Sequence, residues 1–181
     1  MSSPSEFHVQ VDAGTGNLRL AGECRSADLA ALVSEAQNAP RKRKNLNLHP
    51  TLDDPVQRLL NAFEPGTYVR PHRHDVPGKW EFFAILQGRA LALAFDTTGV
   101  VQERYELAPG GVVQVIEIAA GTWHTLAALE SGTLLLEVKP GPYMPAGPQD
   151  FAPWAPPEGS AGAVTLERWF QMARVGDRAP Y

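Results

Sequence analysis

The residues best equipped for chemistry lie between Gly66 and Glu81, where the chain reads Gly-Thr-Tyr-Val-Arg-Pro-His72-Arg-His74-Asp-Val-Pro-Gly-Lys-Trp-Glu81. Side chains alternate along an extended segment, so histidines at i and i+2 point to one face and can close on one ion. Glu81, on the next strand, supplies an oxygen. His124, in Ala119-Ala-Gly121-Thr-Trp-His124, supplies another imidazole. His72, His74, Glu81 and His124 form a ligand set for a divalent transition metal such as Zn, Fe, Mn or Ni; the order of affinities does not decide which. Such an ion with open positions polarises a substrate oxygen or activates water, and iron adds oxygen chemistry.

Strand parity extends the site. If His72 and His74 face inward, Tyr68 and Arg70 share their face, and Arg70 is a candidate for holding an anion beside the metal. Glu81 carries Phe83 and Ile85 inward with it, and His124 brings Leu126 and Ala128. Glu137 and Lys139 share a face on the last strand. They are either an exposed ion pair or, turned inward, an anion-binding shelf with Arg70 and a general base at Glu137. On the second reading the catalytic group is Glu137, Lys139, Arg70 and Tyr68, with Tyr143 closing the mouth. Asp75 is the rival carboxylate to Glu81, but it follows His74 directly, points to the other face and reads as a turn former. The run Arg41-Lys-Arg-Lys44 is a solvated connector or a cationic rim that draws an anionic ligand. His8 reads as surface or packing, and His49 falls on the Asn45/Asn47 face.

These residues need a β scaffold. Strands are expected over 67–73, 80–87, 89–96, 100–107, 112–118, 122–129 and 133–139, broken by turn chemistry at Gly88, Asp96–Gly99, Pro109–Gly111, Gly121 and Ser131–Gly132. Leu91, Leu93, Phe95, Val113, Val115 and Ile118 read as buried. Short strands at this spacing suggest a sandwich or small barrel. Before them come a hairpin over 7–20, a helix from an N-cap at Ser26 to Pro40, a strand over 45–49, and a second helix over 54–63 on the apolar stripe Val56, Leu59, Leu60 and Phe63. After them, a proline-rich segment containing Tyr143, Phe151 and Trp154 wraps the barrel as an ordered strap. Residues 164–173 form a short amphipathic helix.

Composition sets the outer limits. The chain has 181 residues, 44% of them hydrophobic, enough for one domain with a real core. Its 16 glycines and 16 prolines favour turns and short strands over long helices. A net charge of -4 gives no reason to expect nucleic acid. The single cysteine, Cys24, rules out an internal disulfide and fits a reducing cytosol. No signal peptide is readable and no apolar run approaches the ~18 residues that span a bilayer, so the expectation is a cytoplasmic protein without membrane contact.

The spacing Gly66-x5-His72-x-His74-x6-Glu81-x6-Gly88 resembles the first cupin motif, with two extra residues between histidine and glutamate. Gly121-Thr-Trp-His124 matches the core of the second motif, with Ala119 and Ala128 where the motif has proline and asparagine. Arg43-x-Asn45-x-Asn47-x-His49, Pro71-His-Arg-His74, Trp123-His-Thr125, Glu137-Val-Lys-Pro-Gly-Pro-Tyr143 and Asp150-Phe-Ala-Pro-Trp are similar to the WbuC family of cupin-fold metalloproteins, over about residues 40–159. The resemblance implies a mainly β cupin jelly-roll barrel (a double-stranded β-helix) holding a divalent metal, in a family whose members occur near polysaccharide biosynthesis genes. The expected fold is that barrel with N-terminal helices and a short C-terminal helix, organised as an N-terminal extension (hairpin and helix) packed on the barrel over 1–40, a cupin barrel with its proline-rich strap over 41–159, and a C-terminal helix and tail over 160–181, one domain overall. The expected partner is a small, anionic or sugar-like molecule, and a homodimer is a further expectation. Three functions stay open: a metal-dependent enzyme of isomerase or lyase type on a carbohydrate or carboxylate, an Fe(II)-dependent dioxygenase, and a non-catalytic sugar- or small-molecule-binding module.

Overall fold

Period-two patterning from Glu81 onward produces six consecutive strands: β3 (Glu81–Gln87), β4 (Ala90–Phe95), β5 (Val101–Leu107), β6 (Val115–Ile118), β7 (Trp123–Ala128) and β8 (Thr133–Pro140). They are preceded by helix α1 (Ser26–Asn38), β1 (Arg43–Asn47) and β2 (Val56–Phe63), and followed by helix α2 (Ala161–Met172). The computed structural model describes residues 23–181, so the expected 7–20 hairpin and His8 lie outside the described residues.

The strands form two antiparallel sheets, one ordered β1-β2-β8-β3-β6 and the other β5-β4-β7. Their inner faces meet: Phe63, Phe83, Ile85 and Leu135 of the first sheet pack with Ala92, Leu107, Leu126 and Ala128 of the second. This is the cupin jelly-roll that the motifs imply. Both outer faces are also apolar, because each is covered. Leu60, Ala62 and Leu134 pack under Leu32 and Ala36 of α1. Leu91, Leu93, Phe95 and Trp123 pack under Leu166 and Phe170 of α2 and under Ala152 and Ala155 of the strap.

That double burial explains the largest departure from expectation. Residues 56–63 are the strand β2, paired with both β1 and β8, and are not a second helix. The apolar stripe at 56, 59, 60 and 63 fits a helix, but it also fits a strand that buries residues on both faces, and periodicity alone does not separate the two. Pairing on both sides satisfies the strand's backbone. One α-helix therefore precedes the barrel among the described residues, and its N-cap is Arg25 instead of Ser26; the Arg25 amide donates to Asp28 Oδ2 at 2.8 Å.

Two further expectations change. Residues 67–73 are not a regular strand; they pair at His72 alone, with His124 on one side and Phe151 on the other. Pro71 lacks an N–H and breaks the ladder there. Val115 is exposed, because β6 is a sheet edge whose inward residues are Ile116 and Ile118. Among the described residues no helix is long and apolar enough to cross a membrane.

Gly88 turns β3 into β4 with φ +71°, and a Cβ there would stand 2.7 Å from Thr133 Oγ1 and 2.9 Å from Thr133 Cα. Gly88→Ala is expected to lower unfolding stability by about 2 kcal/mol in urea denaturation, combining the positive φ with the clash.

Candidate metal centre

The site is closed by two backbone hydrogen bonds. His72 N donates to His124 O at 3.0 Å and His124 N donates to His72 O at 2.9 Å, so the two residues face each other as an antiparallel hydrogen-bonded pair. Their rings come together, with centroids 4.4 Å apart. Gly121 N donates to His74 O at 3.0 Å and ties the second histidine to the same neighbourhood. The two extra residues between His74 and Glu81 are absorbed by a turn in which Lys79 N donates to Val76 O, with Gly78 at φ +78°. Glu81 then enters as the first residue of β3, opposite Ile118.

Three of the four expected ligands form one candidate cluster, and His124 meets it through Glu81. His72, His74 and Glu81 offer ligand atoms that all lie within 4.8 Å of one another. His74 Nε2 is 3.0 Å from Glu81 Oε1, and His124 Nε2 is 2.9 Å from Glu81 Oε2. The tautomers follow from the partners. Nδ1 of His72 lies 3.0 Å from Arg70 O, and Nδ1 of His124 lies 2.8 Å from Thr122 O. A carbonyl only accepts, so each Nδ1 donates to it and leaves Nε2 as the ring position free for the site. The contacts to Glu81 are short, yet the Nε2 atoms of His74 and His124 and Oε2 of Glu81 are buried without a properly directed hydrogen bond. An imidazole nitrogen without a proton repels a carboxylate oxygen at this range unless positive charge sits between them. The donor set fits a divalent ion bound through neutral imidazole and carboxylate oxygen.

Electrostatics point the same way. Burial, reinforced by His124, pushes the His72 imidazole down to about 3, keeping it neutral. Burial alone would raise Glu81, but the His124 and His74 nitrogens and the Lys139 ammonium outweigh it and hold the carboxyl well below the usual range.

Glu137 and Lys139 resolve to the inner reading. They share the inward face of β8 with Leu135. Lys139 Nζ is 2.9 Å from Glu81 Oε1 and also contacts Glu137 Oε1, bridging the two carboxylates. Burial lowers the Lys139 ammonium, but Glu81 and Glu137 outweigh that and raise it. Burial raises the Glu137 carboxyl, and neighbouring Glu81 adds to the effect against the opposing pull of Lys139. Asn61 Nδ2 donates to Glu137 Oε2 at 2.6 Å. Reading β2 as a helix hid Asn61; in a strand, Asn61 shares a face with inward Phe63, which is the signal that would have found it.

These groups line a cavity of about 460 Å³ inside the barrel, with Phe63, Phe83 and Leu126 as its apolar wall and Asn45 and Lys44 near one end. A second cavity of about 390 Å³ continues outward, sharing Arg41, Arg43, Val69, His72 and Lys139 with the first. Arg70 lines the outer cavity, where its Nε donates to Ala155 O at 3.0 Å and its guanidinium lies 4.8 Å over the Phe151 ring. Tyr143 lines the same cavity. Tyr68 is not brought to the site: it stacks parallel to Phe170 under α2, and its hydroxyl donates to Pro156 O at 2.8 Å. The irregular backbone of 67–71 breaks the alternation that would have aligned Tyr68 with His72. His49 is buried against the backbone of Arg58. Asp75 pairs with Arg73 at 2.6 Å. The cationic run is largely paired, Arg41 and Arg43 with Glu158 and Lys44 with Glu35.

Residues 24–107 match a family described as a domain of unknown function, DUF6016. No curated protein matches the chain in sequence. Similar solved structures include cupin-superfamily proteins. KdgF from Halomonas sp. is 19% identical with a TM-score of 0.45, covering 57% of this chain and 84% of that one. A cupin superfamily protein from Desulfitobacterium hafniense is 21% identical with a TM-score of 0.45, covering 60% and 86%. The oxalate decarboxylase of Lactobacillus farciminis is 19% identical with a TM-score of 0.44, covering 60% of this chain and 30% of that one.

Removing Lys139 would leave Glu81 and Glu137 facing each other across a buried space. Lys139→Ala is expected to destabilise the metal-free protein by about 3 kcal/mol near pH 8. An acid whose folded-state affinity for protons is raised costs stability as pH climbs above its unfolded value, so the deficit relative to the parent should shrink near pH 5.5. Urea midpoints of both proteins at the two pH values test this.

Proposed function

We propose that this chain is a metal-dependent cupin in which His72, His74, Glu81 and His124 hold one divalent transition metal beside a small carboxylate or carbohydrate ligand. The observation that carries the proposal is that the buried Nε2 atoms of His74 and His124 turn onto the Glu81 carboxylate without a properly directed hydrogen bond. The motifs shared with the WbuC family support the same ligand set.

When bound, the ion supplies a Lewis acid for a ligand oxygen. The chain's own residues do the rest. The carbonyls of Arg70 and Thr122 hold the His72 and His124 rings in one tautomer, the role outer partners play for metal-binding histidines. Lys139 keeps positive charge at the cavity wall, where an anionic oxygen would settle. Glu137 is a carboxyl in that wall outside the proposed ligand set, and burial raises its affinity for a proton. A carboxyl tuned upward beside a Lewis-acid site is suited to give or take a proton, which favours an enzyme over a purely binding module. Asn61, on the far oxygen of Glu137, is a positioning residue for it.

Elemental analysis of protein purified without added metal tests the reading. One equivalent of a divalent transition metal is expected in the parent protein. His72→Ala and His124→Ala should each lower it to near zero, while Glu137→Gln should retain it. One full equivalent in the His72→Ala/His124→Ala double variant would put the metal elsewhere.

A further inference from the structure

The outer cavity differs in character from the inner one. Its wall carries Val76, Trp80, Pro142, Tyr143 and Met144. Three of these are large apolar side chains left in solvent: Val76 is 42% exposed, Tyr143 50% and Met144 59%. Exposed apolar groups clustered at the mouth of a polar site signal a partner that covers them.

The backbone beneath them is pinned. Tyr143 N donates to Leu52 O at 2.7 Å, and Gly141 N donates to Pro55 O at 2.8 Å. Lys79 Nζ donates to the carbonyls of Pro140 and Pro142, each at 2.9 Å. Gly141 lies so close to Asp54 that a Cβ there would stand 1.8 Å from its carbonyl oxygen. The strap is therefore held in place while its apolar side chains stay uncovered, which is the arrangement of a preformed binding shelf.

The two cavities join at His72, Arg43 and Lys139. A ligand that spans them meets, at its inner end, the metal-ligating groups and the Lys139 ammonium that bridges Glu81 and Glu137, and at its outer end an apolar shelf. We infer that the ligand of this site is an amphipathic monocarboxylate, an aromatic or branched-alkyl acid. Its carboxylate sits on the Lys139 side, and its apolar body rests on Val76, Tyr143 and Met144. A polyhydroxylated ligand would find partners at Arg70, Gln149 and Asp150 of the same cavity but none on the shelf itself, where its hydroxyls would lie against valine, methionine and proline. The inference rests on the metal-site reading above and narrows its carbohydrate-or-carboxylate ligand to one class.

Isothermal titration calorimetry of the metal-loaded protein with phenylacetate, acetate and gluconate tests it. Burying a ring on the shelf should make phenylacetate bind about tenfold or more tightly than acetate, and tighter than gluconate. Tyr143→Ser/Met144→Ser alters two exposed side chains; it should remove most of that gain while leaving acetate affinity and metal content unchanged. Gluconate binding tighter than phenylacetate overturns the inference, as does a phenylacetate affinity that the double substitution does not move. So does the absence of any carboxylate binding by protein that carries its metal. Protein that retains no metal overturns the metal-site reading itself, an outcome that elemental analysis of the same sample distinguishes.

Discussion

Everything in this molecule that bears on function depends on one buried carboxylate. Glu81 sits almost completely out of water with the His74 and His124 nitrogens on one side and the Lys139 ammonium on the other. A buried anion is tolerated only where opposite charge and hydrogen-bond donors surround it. Lys139 supplies part of that compensation through one oxygen. The other oxygen faces His124 Nε2 without a directed hydrogen bond, and a cation between them would bond to both.

The barrel is arranged to keep those groups within reach of one another. His72 and His124 are locked by reciprocal backbone hydrogen bonds, and Glu81 and Lys139 come from strands that lie side by side in the first sheet. Helices α1 and α2 cover the outer faces, so the strands can be apolar on both sides and the polar groups collect in the interior cavity. The inner residues are fixed by sheet register, where a slip of one residue would turn each of them to the other face. The strap matters for a different reason: it contributes Phe151 beside His72, seats Arg70, and builds the mouth of the cavity.

Much of the centre was legible from residue types alone. Histidines two apart, a glutamate at the start of the next strand, and a Gly-Thr-Trp-His segment point to a metal before any coordinates are drawn, and parity already placed Phe83, Ile85, Leu126 and Ala128 on the inner face with them. Asn61 was hidden for a physical reason. A strand buried on both faces loses its period-two signature, so β2 looked helical and its inward amide went unread. Tyr68 erred the other way, because parity was extended through Pro71, where regular pairing stops.

By itself the sequence determined the candidate donor residues, the β character from Glu81 onward and the strand breaks, since these depend on side-chain type, alternation and turn residues that act locally. Only the tertiary structure decided that Glu137 and Lys139 turn inward, that the Arg41–Lys44 cations are largely paired, and that an apolar shelf stands at the cavity mouth. Each of these depends on which distant segments meet: β8 against β2 and β3, Glu158 against Arg41 and Arg43, the strap against Leu52 and Pro55. Contacts of that range carry no local periodicity from which they could be read.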